Sequence, residues 1–151
     1  MKKEDGVADK IEVFKNIAKG LGLKITPQRL EIFKILASMD YHPSADEVYE
    51  AVIKQISSIS FDTVYRTLAL FESRGVIAKV QYLDDRTRYD TNMDPHYHLV
   101  CKKCRKIEDF NWPALDRLNS PDETQRWGKI DGKYLELRGI CRKCLASKKN
   151  K

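Results

Sequence analysis

Three features predict an α/β chain of the α+β kind, an N-terminal winged helix-turn-helix followed by a small C-terminal α/β domain. Apolar residues recur at helical spacing through residues 1–80, the period changes to two after Gly75, and four cysteines stand in the second half as two CxxC pairs 36 residues apart. With 151 residues and 42% hydrophobic content, the chain suits one large domain or two small ones.

The first helix carries Ile11, Phe14, Ile17, Ala18 and Leu21 at helical spacing and stops at Gly20 and Gly22. The second, "TPQRLEIFKILASM", has Thr26 as N-cap and Pro27 at its first position, with Leu30, Phe33 and Leu36 or Ala37 inward. Ser44 and Glu47 form a capping box at the start of the third, which turns Val48, Ala51 and Val52 to the core. The fourth, "SFDTVYRTLALFESRG", is capped by Ser60 and buries Val64, Leu68 and Phe71. Asp62 suits its positive end, and Gly75 stops it. "VIAKVQYL", the turn "DDRT" and "RYDTN" then read as a β-hairpin. Three helices with a hairpin behind the last make a winged helix-turn-helix over residues 1–90, with a hinge at its end.

Residues 91–151 make the second, metal-binding domain, strand-rich from residue 94 on: "HYHLVC", "KIEDF", and "KYLELRGIC" after the turn "IDGK". Between them, Pro113 onward gives two short helices, the second restarted by Ser120, Pro121 and Glu123 as cap, proline and capping box. The tail "SKKNK" reads as disordered. No run of 18 or more apolar residues occurs and the first ten residues are polar, so the reading is a soluble, cytoplasmic protein.

A net charge of +6 and a pI near 9.1 invite nucleic acid as partner, but the surplus lies in the wrong half. Residues 1–90 hold 14 Lys/Arg against 14 Asp/Glu, and residues 91–151 hold 14 against 8. The DNA reading therefore rests on the fold. The fourth helix offers Thr63, Tyr65 and Arg66 to bases, and the hairpin tip offers Arg86 and Arg88. Lys15, Lys19, Lys24, Gln28 and Arg29 could touch phosphates. The plain alternative is that these are ordinary solvated faces.

Cys101, Cys104, Cys141 and Cys144 make a closed tetrahedral thiolate set for structural zinc. Disulfides are the alternative, disfavoured in a reducing compartment. On a strand, His96 and His98 share a face that Cys101 does not, which argues for a second site. His42 taken alone reads as a structural residue; the HxH pair shifts that reading. Three imidazoles with the carboxylates of Asp90 and Asp109 suit Fe(II) or Mn(II), with zinc able to compete, and five ligands leave one octahedral position open.

In this combination the sequence resembles the ferric uptake regulator family, and within it the peroxide-responsive type. "TPQRLEIFKIL", "HPSADEVYEAV", "FDTVYRTLALFESRGVI", "RYD", "HYHLVCKKCRKIEDF" and "GICRKC" carry the resemblance over nearly the whole chain. It implies a repressor whose winged helix binds a palindromic operator in double-stranded DNA and whose residues 91–151 are the dimerisation domain of a homodimer. It also implies one structural Zn2+ per subunit on the four cysteines, and one regulatory Fe2+ or Mn2+ on His42, Asp90, His96, His98 and Asp109. Iron-responsive members usually carry Glu where this chain has Asp90 and Asp109; peroxide sensors carry Asp at both. A longer amphipathic helix is typical of relatives where this chain has "LNSPDETQRWG".

The resemblance further implies that iron-catalysed oxidation of a site histidine releases metal and operator. Within the family the alternative is a repressor responding to iron level through the same site. A metalloenzyme would use the open position to activate water, but no general base stands nearby. A zinc-stabilised interaction module without DNA affinity is the third reading.

Overall fold

The computed structural model describes residues 2–81, 86–130 and 132–147. The chain divides into two compact units, residues 1–93 and 94–151.

The first unit comprises α1 (Lys2–Gly20), α2 (Pro27–Ser38), α3 (Ala45–Val52), α4 (Phe61–Ser73), β1 (Ala78–Gln81) and β2 (Thr87–Asp90). Three helix starts are fixed by side-chain oxygens that satisfy otherwise orphaned amides. Thr26 Oγ1 accepts from the Arg29 amide at 3.3 Å, and Ser60 Oγ accepts from that of Thr63 at 3.1 Å. At α3 the capping box is complete: the Glu47 amide donates to Ser44 Oγ, and the Ser44 amide donates to Glu47 Oε2 at 2.7 Å. α4 ends at Gly75, whose φ of +67° is the left-handed geometry that glycine adopts at least cost.

Apolar stripes from all four helices meet in one core. Phe14 stacks on Phe33 with centroids 4.1 Å apart, and Phe71 meets both rings edge-on. Val48, Val52, Val64, Leu68, Val76 and Ile77 complete it. Ile32, outside the expected stripe of α2, is fully buried. Leu21, expected inward, is 42% exposed because it follows the end of α1. β1 and β2 pair antiparallel from Gln81–Thr87 to Ala78–Asp90, so Thr87 belongs to a strand and not to the turn. Thr91 and Asn92 lie beyond the strand. Of that turn, Asp84 and Asp85 fall outside the described residues.

In the second unit β3 (Tyr97–Cys101) is central. It pairs antiparallel with β4 (Ile107–Phe110) and parallel with β5 (Glu136–Gly139). The connection from β4 to β5 holds α5 (Pro113–Asp116) and a 3-10 turn over Asp122–Arg126; α6 (Arg142–Ala146) follows β5. Two expectations change here. The strand after "IDGK" is shorter than "KYLELRGIC", and Asp131 of that turn lies outside the described residues. The segment restarted at Pro121 is a 3-10 turn whose cap position is Pro121, not Ser120, with no side-chain cap bond. The Pro121 carbonyl accepts from both the amide and the hydroxyl of Thr124, which ties the backbone into i→i+3 spacing. Lys133 Nζ donates to the carbonyls of Leu115, Asp116 and Leu118 and so closes the C-terminal end of α5. Of the tail, residues 148–151 lie outside the described residues.

Candidate metal centres and DNA-facing helix

The four cysteines converge from two knuckles. Cys101 ends β3, Cys104 follows three residues later, Cys141 caps α6 and Cys144 lies on it. All four are free thiols whose sulfurs lie within 4.8 Å of one another. The sulfurs of Cys104 and Cys141 are 3.7 Å apart, close to the edge of about 3.8 Å that four Zn–S bonds of about 2.3 Å impose on a tetrahedron. The amides of Cys104 and Cys141 donate to Cys101 Sγ at 3.5 and 3.3 Å, and they pull that thiol down to about 6. Burial, then hydrogen bonds with the neighbouring thiols, pushes the Cys144 thiol up to about 12. Four sulfurs at near-tetrahedral spacing, with amides directed at one of them, are the donor set that a divalent zinc ion takes. Arg105 turns the first knuckle with φ +63°, a conformation glycine would adopt more easily.

The nitrogen and oxygen donors form one group in each unit. In the first unit, His42 Nε2 stands 3.2 Å from Asp90 Oδ2, with both side chains 7% exposed. His42 precedes the cap of α3, and Asp90 ends β2. The other Asp90 oxygen accepts from the Asn92 amide at 2.7 Å, an Asx turn that leaves Oδ2 directed at the imidazole. In the second unit, His96 Nε2 and His98 Nε2 are 3.0 Å apart, and Asp109 reaches them at 3.9 and 3.6 Å. The β3–β4 register puts Asp109 directly beside His98. His96 Nδ1 is 2.7 Å from the Asp94 carbonyl; donation there fixes the tautomer whose lone pair is on Nε2. Two imidazole nitrogens and a carboxylate converging on one point is how a hard divalent cation is held.

Of the DNA-facing candidates, Tyr65 is 49% exposed on α4 and stacks on exposed Phe61. Arg66 projects from the same helix and pairs with Asp62 at 2.9 Å. The Thr63 hydroxyl is held by Ser60 Oγ at the helix start. Gln28, Lys19, Lys24 and Arg86 are exposed. Lys15 pairs with Glu12, and Arg29 donates to the Lys24 carbonyl at 2.7 Å.

Arg88 departs from expectation. It is not a solvent-facing tip residue: its side chain is 15% exposed, its Nη1 donates to the His42 carbonyl at 3.1 Å, and it lies 3.6 Å from Glu47 Oε2. The bridge between Ser44 and Arg88 extends the hairpin onto the loop that carries His42, and turns this side chain inward. That pairing spans more than forty residues and leaves no local signal.

The ferric uptake regulator family model matches residues 20–137. The peroxide-responsive repressor PerR of Staphylococcus epidermidis is 37% identical over 123 residues, 82% of each chain. Among solved structures, a zinc-bound manganese uptake regulator is 32% identical, with a TM-score of 0.65 over 85% of this chain and 98% of that one. The Campylobacter jejuni peroxide stress regulator is 28% identical, with a TM-score of 0.64 over 88% and 97%. No helix among the described residues is long and apolar enough to cross a membrane. With helices and hairpin in winged-helix order, a four-thiol cluster and His/Asp donors in both units, the chain belongs to the ferric uptake regulator family of metal-responsive, DNA-binding transcriptional repressors.

Proposed function

We propose that this repressor senses peroxide through Fe(II)-dependent oxidation of its site histidines. The observation that carries the reading is the donor set. Asp90 and Asp109 are the carboxylates beside the imidazoles of His42, His96 and His98, and no sulfur belongs to either group. Relatives described as peroxide-responsive repressors support it.

In this reading the four cysteines hold one structural Zn2+ per subunit. One regulatory Fe2+ or Mn2+ joins His42 and Asp90 to His96, His98 and Asp109. Residues 1–90 bind DNA, and residues 91–151 make a homodimer in the cytoplasm. Such a joint favours the DNA-competent dimer only to the extent that the metal binds it more tightly, about a tenfold shift per 1.4 kcal/mol. Two α4 helices about 34 Å apart would then read the halves of a palindromic operator. Thr63, Tyr65, Arg66 and Arg86 approach the DNA, with Lys15, Gln28 and Arg29 toward phosphates.

His42, Asp90, His96, His98 and Asp109 would hold the Fe(II), which would supply activation of peroxide beside the imidazoles. One peroxide oxygen would then enter a ring C–H of a histidine, the other leaving as water. The oxidised ring would be a poorer donor, and loss of the metal and of the operator would follow. Asp94, by fixing the His96 tautomer, and Asn92, by fixing Asp90, hold the donors for this step.

The test is intact and peptide mass spectrometry before and after a brief low dose of peroxide. A gain of one oxygen on His42, His96 or His98 in the Fe(II) form and not in the Mn(II) form is expected. Unmodified histidines, with DNA binding that follows free iron, would make the protein an iron-level repressor instead.

A further inference from the structure

We infer that Arg88 is a positioning residue for His42: it fastens the loop carrying that imidazole to the start of α3 and thereby sets affinity for the regulatory cation. The inference rests on the reading of His42 and Asp90 as ligands of that cation.

His42 lies in the short connection between α2 and α3, a segment with little secondary structure of its own to orient a side chain. Besides the His42–Asp90 contact, a backbone bond and a guanidinium bond hold this connection to β2. The Tyr89 amide donates to the Pro43 carbonyl at 2.9 Å, and Arg88 Nη1 donates to the His42 carbonyl at 3.1 Å. The first is backbone to backbone and survives most substitutions; the second depends on the guanidinium.

The same Nη1 lies 3.6 Å from Glu47 Oε2, the oxygen that already accepts from the Ser44 amide in the capping box. A single carboxylate thus closes the start of α3 and pairs with the group that grips His42. Ring contact between Tyr49 of α3 and Phe61 of α4 continues the packing to the DNA-facing helix.

A cationic side chain beside donors for another cation is costly unless its charge is met. Glu47 meets it, so Arg88 orients His42 without adding an unpaired positive charge. Groups that orient metal ligands are worth about 10-fold to 100-fold in metal affinity. Methionine fills a similar volume without a donor, whereas lysine keeps the charge and its N–H donors but not the planar fork of the guanidinium.

The experiment measures Mn(II) affinity of the zinc-loaded full chain by competition with a chelating dye, for wild type, H42A, R88M and R88K. Thermal unfolding of each Mn-free form is recorded beside it. R88M is expected to weaken Mn(II) binding about 10-fold to 100-fold, and R88K to fall between R88M and wild type. The Mn-free melting temperatures should not follow the order of the affinities, as they would if Arg88 served folding alone. Wild-type affinity in H42A would remove the ligand reading and this inference with it. Lost binding in H42A with wild-type affinity in R88M would overturn the inference alone, as would R88K binding no more tightly than R88M.

Discussion

The two units are held together by different physics. Residues 1–93 bury fifteen apolar side chains in one cluster, from Phe14 to Tyr89, whereas among the described residues of 94–151 only Tyr97, Val100, Cys101 and Ile107 are buried apolar groups. A three-stranded sheet with so small a core does not offset its own conformational entropy. A cation on the four cysteines would fill that deficit by tying the end of β3 to α6, beyond β5. Hydrophobic burial therefore stabilises the first unit at any metal level, while the second unit is expected to depend on a cation held by its four thiols.

The largest effect that could break this comparison is zinc removal. Chelation, or Cys104→Ser, should cost the second unit on the order of 10 kcal/mol. Hydrogen exchange would then show protection lost over β3, β4 and β5 and retained over α2 and α4; retained protection in β3 would refute the zinc dependence. Next in size, Phe14→Ala should destabilise the first unit by roughly 3–5 kcal/mol in denaturant titration, because it empties the centre of the stacked Phe14–Phe33–Phe71 group, while leaving zinc content unchanged. Ser44→Ala should cost the first unit about 0.5–2 kcal/mol, since it removes one half of the α3 capping box. The smallest is Arg105→Gly. It relieves left-handed geometry in the first knuckle but adds freedom to the unfolded chain, so it should raise zinc-bound stability by less than about 1 kcal/mol.

The same contrast explains what was legible in the sequence. Thr26–Pro27, Ser44 with Glu47, and Ser60 are local chemistry, and each starts a helix where its pattern indicates. The CxxC spacing is equally local, and the four sulfurs meet. The His96–His98 pair follows from strand alternation, and Asp109 beside them from hairpin register. What stayed hidden depends on long-range pairing. The parallel placement of β5 on β3 needs a crossover through α5, and no sequence period reports it. Helix α6 is too short to show a period. Arg88 reads as an exposed cation until the bridge to Ser44 reverses its surroundings.

The Asx turn at Asp90 also limits what can replace that residue. One carboxylate oxygen closes the turn onto the Asn92 amide while its twin is aimed at His42, so the short side chain is latched at both ends. A glutamate is one methylene longer and does not close that turn from the same backbone position. Exchange of aspartate for glutamate here therefore frees the backbone after β2 as well as changing the ligand. Asp90→Glu is therefore expected to loosen residues 91–92 as well as to move the carboxylate that faces His42.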